Sequence, residues 1–268
     1  MRPRSSYSSR LASSLACVTA FLVVGCGSDR DPPACGVEQG AIVSGTEAPG
    51  AVLLSDEQAD AIVRVRLASD NPNEFCSGVM VSENWVLSAA HCSIGVPVFV
   101  DVGPDADNPR LSAATDSPMT HPELDLALWR VVDRDGELGA HFEPLLVWAT
   151  DVDRNWIGKS AELAGYGTTE TDATGQRRFA TESISDVDET FITVDGAGRS
   201  GACSGDSGGP LLVATQAGEP AVAGVLSAGS ADCRGIDRYV RVDRAWRWLS
   251  EQVPDIRASA RSANVACD

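Results

Sequence analysis

Three short segments carry the side chains that could do chemistry together. Gly205-Asp206-Ser207-Gly208-Gly209-Pro210 offers a hydroxyl, Leu87-Ser88-Ala89-Ala90-His91-Cys92 an imidazole, and Asp125-Leu126-Ala127-Leu128 a carboxylate. A serine hydroxyl is a weak nucleophile until a neighbouring base takes its proton, and an imidazole does this best when an acid orients it. Asp125 stands in the apolar run Leu124 to Trp129, where an unpartnered charge would be costly to bury. The other readings are a structural histidine beside a cysteine, a strand-edge carboxylate and, for Gly205, a tight turn.

Chain order decides between two acyl-transfer architectures. Gly205-Asp206-Ser207-Gly208-Gly209 satisfies the G-x-S-x-G pattern of α/β-hydrolases, in which the serine precedes its acid and its histidine. Here the order is His91, Asp125, Ser207, and His121 and His141 also lie upstream of the serine. With no histidine following Ser207, the α/β-hydrolase reading fails.

The segments in this order resemble the chymotrypsin/trypsin family of serine endopeptidases, here as an exported bacterial member, over roughly residues 42–253. The resemblance implies an all-β fold of two antiparallel six-stranded β-barrels with a C-terminal α-helix. It assigns Ser207 as nucleophile, His91 as general base and acid, and Asp125 as the group orienting the imidazole. The backbone N–H groups of Gly205 and Ser207 become the oxyanion hole. Ile42-Val43-Ser44-Gly45 resembles the new N-terminus that cleavage creates in this family, its ammonium pairing with Asp206. The preceding Glu38-Gln39-Gly40-Ala41 lacks the usual Arg or Lys, so the expected activating protease is not tryptic.

By the same resemblance, Gly201, Ala202, Ser227, Gly229 and Asp237 belong to the substrate pocket. Gly201, six residues before Ser207, stands where trypsin-like members carry Asp, and Ser227-Ala228-Gly229 replaces a Ser-Trp-Gly wall. Asp237 either restores a negative charge to the pocket or is a solvent-exposed loop acid. Cleavage after apolar residues and broader cleavage including Arg both remain open at this point. The resemblance also pairs Cys76 with Cys92 and Cys203 with Cys233, which leaves Cys35 and Cys267 for one another. A loop closed over the separation of Cys76 and Cys92 stabilises by roughly 3 kcal/mol.

The flanking elements follow from pattern. Arg2, Arg4 and Arg10 precede the apolar stretch Leu11 to Gly25, the form of an export signal. Val23-Val24-Gly25-Cys26 resembles a bacterial lipobox, so Cys26 is the expected lipid attachment point and the protein is expected on a cell-envelope membrane; a plain secretory signal would leave it periplasmic or secreted. The expected division is signal 1–25, tether or propeptide 26–41, catalytic domain 42–256 and tail 257–268. Short apolar and β-branched runs between turn signals, such as Ala61–Arg66, Phe75–Val81, Val96–Val102, Phe191–Val194, Leu211–Val213 and Ala221–Leu226, favour a barrel or sandwich, and the resemblance implies a further strand at Tyr239–Val242. Asp243–Val253 has helical periodicity and ends near Pro254.

A formal charge of -17 argues against a nucleic-acid partner. Protein or peptide substrates are the expected partners, with no cofactor and no metal. Asp101, Asp105 and Asp107 have the look of a calcium loop, but a solvated acidic turn is the simpler expectation. His121 is expected to be structural, and Tyr166, between Gly165 and Gly167, to pack. The alternative to an enzyme is a surface-anchored binding protein that keeps the fold without proteolysis.

Overall fold

The computed structural model describes residues 42–67, 74–93, 95–132 and 137–259. The signal and tether, Cys26 and the Cys35–Cys267 pair fall outside them. Strands β1 (Ile62–Leu67), β2 (Phe75–Ser82), β3 (Trp85–Ser88), β4 (Val98–Val102), β5 (Leu111–Ala114), β6 (Met119–Thr120) and β7 (Ala127–Arg130) build the first sheet, in the order β5-β4-β1-β2-β3-β7-β6. A bridge between Thr115 and Val131 joins the ends of β5 and β7 and closes six of these strands on themselves. A short helix α1 (Asp56–Ala59), capped by Ser55 and Gln58, leads into β1.

The second sheet holds β8 (Leu146–Val147), β9 (Ser160–Gly165), β10 (Arg178–Val187), β11 (Phe191–Asp195), β12 (Pro210–Ala214), β13 (Pro220–Ala228) and β14 (Ile236–Arg241). Its order is β12-β9-β10-β11-β14-β13-β8, and β12 also pairs with β13, so six strands again close into a barrel. The expected pair of six-stranded barrels is therefore present, each carrying one two-residue extra strand. β8 differs by pairing parallel to β13. Helix α2 (Val242–Gln252) buries Val242, Ala245 and Leu249, spaced for one helical face, and packs on β13. None of the described helices is long and apolar enough to cross a membrane.

The first residues of the expected tail are held against the second sheet. Ala258 bridges Val147, and the Ser259 N–H donates to the Val147 carbonyl at 2.8 Å, so residues to 259 still line the second sheet.

Charge is distributed in a way the acidic-turn expectation misses. Asp101 is buried rather than solvated, and faces Arg64 directly across β1 and β4. Its carboxylate receives Arg64 Nε at 3.1 Å and Arg66 Nε at 3.2 Å, while Asp107 takes Arg64 Nη1 at 3.0 Å. These aspartates neutralise arginines. Asp60, also buried, is clasped by Arg110 and Arg177.

The two barrels share one apolar cluster and are also joined by polar contacts beside the candidate catalytic segments. Tyr166 is buried as expected, with its hydroxyl 2.8 Å from the Ile62 carbonyl and 2.7 Å from that of Gly103. Ser77, on β2, receives the Tyr166 N–H on its hydroxyl at 3.0 Å, donates that hydroxyl to the Gly205 carbonyl at 2.9 Å, and gives its own N–H to the Ser207 carbonyl at 2.8 Å. The loop bearing the candidate nucleophile is thus fastened to the first barrel.

Candidate active site

His91 sits in a 3-10 turn (Ala90–Cys92) directly after β3, and the Cys76–Cys92 disulfide ties that turn to β2. Asp125 lies just before β7, the strand paired with β3, so strand pairing brings the two together from 34 residues apart. The imidazole Nδ1 is 2.7 Å from Asp125 Oδ2, and the His91 backbone N–H donates to Asp125 Oδ1 at 2.9 Å. A third hold comes from the second barrel, where Ser227 on β13 donates its hydroxyl to Asp125 Oδ2 at 2.6 Å. The resemblance placed Ser227 in the substrate pocket; the structure shows its side chain on the candidate acid.

These contacts shift the two groups in opposite directions. Burial pushes Asp125 upward, but the hydrogen bonds from the His91 ring, from Ser227 and from the His91 backbone win and hold its carboxyl at about 2. The hydrogen bond to Asp125 raises the His91 imidazole above its ordinary value of 6.5, against the opposing effect of burial. A base so placed keeps Nδ1 engaged and leaves Nε2 for a substrate-side proton.

Ser207 lies in the turn before β12. Asp206 donates its N–H to the Cys203 carbonyl at 3.0 Å, and Gly208 donates to Leu226 at 2.9 Å. Among the described residues, the N–H groups of Gly205 and Ser207 have no such partner. Gly205 has φ +98°, and a Cβ there would stand 2.5 Å from the Phe75 ring, so only glycine holds this backbone turn. Gly208 is similarly confined, with φ +80° and Ser88 and Ser77 where a Cβ would be.

Asp206 is buried, its Oδ1 taking the Gly167 N–H at 2.8 Å and its Oδ2 the Cys203 N–H at 2.9 Å. Burial drives its carboxyl up to about 7, and nearby Asp237 adds to the rise. In this continuous chain Ile42 is not an N-terminus. It is buried in the apolar cluster of the second barrel, which also holds Val152, Trp156 and Ala202, with φ +59°, while Val43 pairs with Gly201. A β-branched side chain at positive φ is strained by on the order of 1–3 kcal/mol.

The Cys203–Cys233 disulfide joins the two segments that carry the remaining pocket candidates. Asp237 is no exposed loop acid: it occupies an inward position of β14, fully buried, and accepts the Ala202 N–H on Oδ2 at 2.7 Å. Gly229 passes close by, since a Cβ there would lie 2.5 Å from Asp237 Oδ1. Gly201 and Ala202 are buried on the facing segment. His121 accepts backbone N–H groups from Glu123 and Leu124 on Nδ1 and stacks edge-on against Trp248, a structural role. The one potential metal-ligand cluster among the described residues is Cys76, His91 and Cys92, whose two sulfurs are consumed by their disulfide.

The family model for trypsin matches residues 54–249, most of the described chain and every segment above except Ile42. The chain belongs to the trypsin family. Among known proteins it is 27% identical to glucanase inhibitor protein 3 of Phytophthora infestans, over 70% of this chain and 80% of that protein. Granzyme M of Rattus norvegicus is 27% identical over 61% and 72% of the respective chains, and brachyurin of Leptuca pugilator 28% identical over 66% and 87%. These trypsin-family relatives are eukaryotic and lend nothing to the bacterial origin expected from the leader.

Proposed function

We propose that this protein is a serine endopeptidase made as a precursor and activated by cleavage between Ala41 and Ile42. The observation that carries the reading is the 2.7 Å contact between His91 Nδ1 and Asp125 Oδ2, backed by the Ser227 hydroxyl from the opposite barrel. In this mechanism the Ser207 Oγ–H proton passes to His91 Nε2 as Oγ bonds to the scissile carbonyl carbon. The carbonyl oxygen becomes an oxyanion facing the N–H groups of Gly205 and Ser207. When the C–N bond breaks, His91 returns the proton to the leaving amine. Water then cleaves the acyl-enzyme by the same proton relay in reverse. Losing one oxyanion donor costs roughly 3 kcal/mol of barrier.

Activation is supported by the strained Ile42 and by Asp206, buried with no ion pair among the described residues. Cleavage releases the strain and supplies an ammonium of ordinary pKa about 8 for Asp206, so activity of the mature form falls as that group deprotonates. The reading is tested by proteolysis with protein beginning at Ile42. It is expected to cleave peptide substrates, Ser207→Ala and the continuous chain are not, and full activity of the continuous chain would refute activation.

For the pocket, buried Asp237 beside Gly229 supports broad P1 acceptance that includes cationic side chains. A P1-scanning peptide library tests this, with Asp237→Ala expected to lose Arg and Lys selectively. Export with a lipid at Cys26 completes the proposal, tested by labelling cells with an alkynyl fatty acid and by its loss in Cys26→Ser.

A second reading has one observation in its favour: a relative named as a glucanase inhibitor rather than a protease. On that reading the fold binds a protein partner and Ser207 is inert. The hydrogen-bonded His91–Asp125–Ser227 chain, which binding alone does not require, favours the enzyme.

A further inference from the structure

The second barrel contains another buried acid that the catalytic mechanism leaves unused. β10 alternates inward and outward, and Ala180, Glu182 and Ile184 face in. Glu182 is 4% exposed in a position that packing would fill with an aliphatic side chain. Its Oε1 accepts the Ser200 hydroxyl at 2.9 Å, one residue before Gly201 of the pocket, and its Oε2 is buried with no partner. Asp237 is in the same condition, with Oδ2 on the Ala202 N–H and Oδ1 buried without a hydrogen bond. The two carboxyls are close enough that the charge on Asp237 acts on Glu182.

No cation among the described residues answers either group. Asp206 from the nucleophile loop, Asp195 at the end of β11 and Asp232 from the Cys233 loop add negative charge around the pair, and Tyr239 on β14 is buried beside it. The Ser230 N–H also faces Asp237. Arg199, Arg234 and Arg238 on adjoining segments are exposed and ion-pair with neither carboxylate. Glu162 on β9 belongs to the opposite face, since it pairs with Thr181 rather than with Glu182. Two buried carboxylates without a cation are stable only if they keep protons or gain a positive partner. Burial, with the Asp237 charge second, accordingly pushes Glu182 to about 7, and burial pushes Asp237 to about 6.

We propose that Glu182 is a positioning residue of the specificity site: it stands behind Asp237 as a second acid, and its ionisation sets how strongly the pocket holds a cationic P1 side chain as pH changes. This rests on the reading of Asp237 as the pocket acid. At low pH both acids hold protons and the pocket suits apolar P1 groups. As pH rises Asp237 ionises first and Glu182 second, and the pocket turns toward guanidinium and ammonium groups. Each ionisation strengthens attraction for the cation, the second on the order of tenfold for a charge about 10 Å away at an effective dielectric of about 20.

The test uses p-aminobenzamidine, a fluorescent cation, with protein beginning at Ile42 and carrying His91→Ala, so that neither turnover nor the imidazole contributes a titration. Between pH 5 and 8 the affinity is expected to rise in two steps. Adding Glu182→Gln keeps the lower step and removes the upper, whereas Asp237→Asn removes the lower step and most of the binding. Ser200→Ala, which deletes the hydrogen bond to Glu182 and leaves its side chain in place, moves the upper step to higher pH. An upper step unchanged in both Glu182→Gln and Ser200→Ala, or a single-step curve in the parent, would overturn the proposal. Fluorophosphonate labelling of the otherwise unmodified Ile42 form separates the two levels. Labelling without any cation binding sinks the pocket inference alone, and absence of labelling sinks the protease reading beneath it.

Discussion

Asp125 and Asp237 are the same side chain in two barrels, and their surroundings drive them in opposite directions. Asp125 is met by an imidazole, a hydroxyl and a backbone N–H, and its carboxyl falls to about 2. Asp237 is met only by the backbone N–H groups of Ala202 and Ser230, with other acids nearby, and burial raises it to about 6. Burial acts upward on both, so partners rather than depth decide the sign. The first barrel is built around a charge that is already satisfied, and the second around charge that awaits a partner.

Removing the satisfied charge should have the largest effect. Asp125→Asn is expected to lower kcat/KM by about 10⁴-fold with the fold intact, measured on a peptide substrate with circular dichroism as control. A loss below tenfold would mean that His91 does not depend on Asp125.

The unsatisfied acids should show in stability. Burial, with the Asp237 charge second, raises the Glu182 carboxyl to about 7 in the folded chain from its ordinary 4.5, so the unfolded chain gives up its proton first. Stability is therefore fullest at acid pH and is lost as pH climbs through that window, by roughly 3 kcal/mol for this group. Urea midpoints at pH 5 and pH 8 should differ less in Glu182→Gln than in wild type, with the variant the more stable at pH 8. An unchanged difference would show that Glu182 is answered by a charge elsewhere.

Smaller changes sharpen the contrast at the first site. Ser227→Ala removes a hydrogen bond to a charged acceptor, an effect of about 2 kcal/mol, so kcat/KM should fall by ten- to a hundredfold. His91 must be neutral to act as base. The acid limb of the pH–rate profile is accordingly expected above 6.5 and should move down in Asp125→Asn. The smallest change is expected from Tyr166→Phe between the barrels, about 1 kcal/mol of stability with little loss of activity.

The satisfied site was legible in the sequence because its parts are short contiguous segments in a diagnostic order. His91 and Asp125, which the structure brings together, and both described disulfides could be named without coordinates. What depended on register was not legible. Arg64 opposite Asp101 is a cross-strand pair set by how β1 meets β4, so a buried ion pair passed for a wet acidic turn. Strands β9 and β10 carry Ala, Ser and Glu where β-branched residues would announce them, and Glu182 went unnoticed. The contact of Ser227 with Asp125 was not legible either, because the side chain's partner lies 102 residues away on the other barrel.

The most direct measurement is fluorophosphonate labelling of folded, disulfide-bonded protein beginning at Ile42, beside its Ser207→Ala variant and the continuous chain. A nucleophilic Ser207 activated by cleavage predicts strong labelling of the first and none of the other two. Failure of the first to label, or equal labelling of Ser207→Ala, would contradict it.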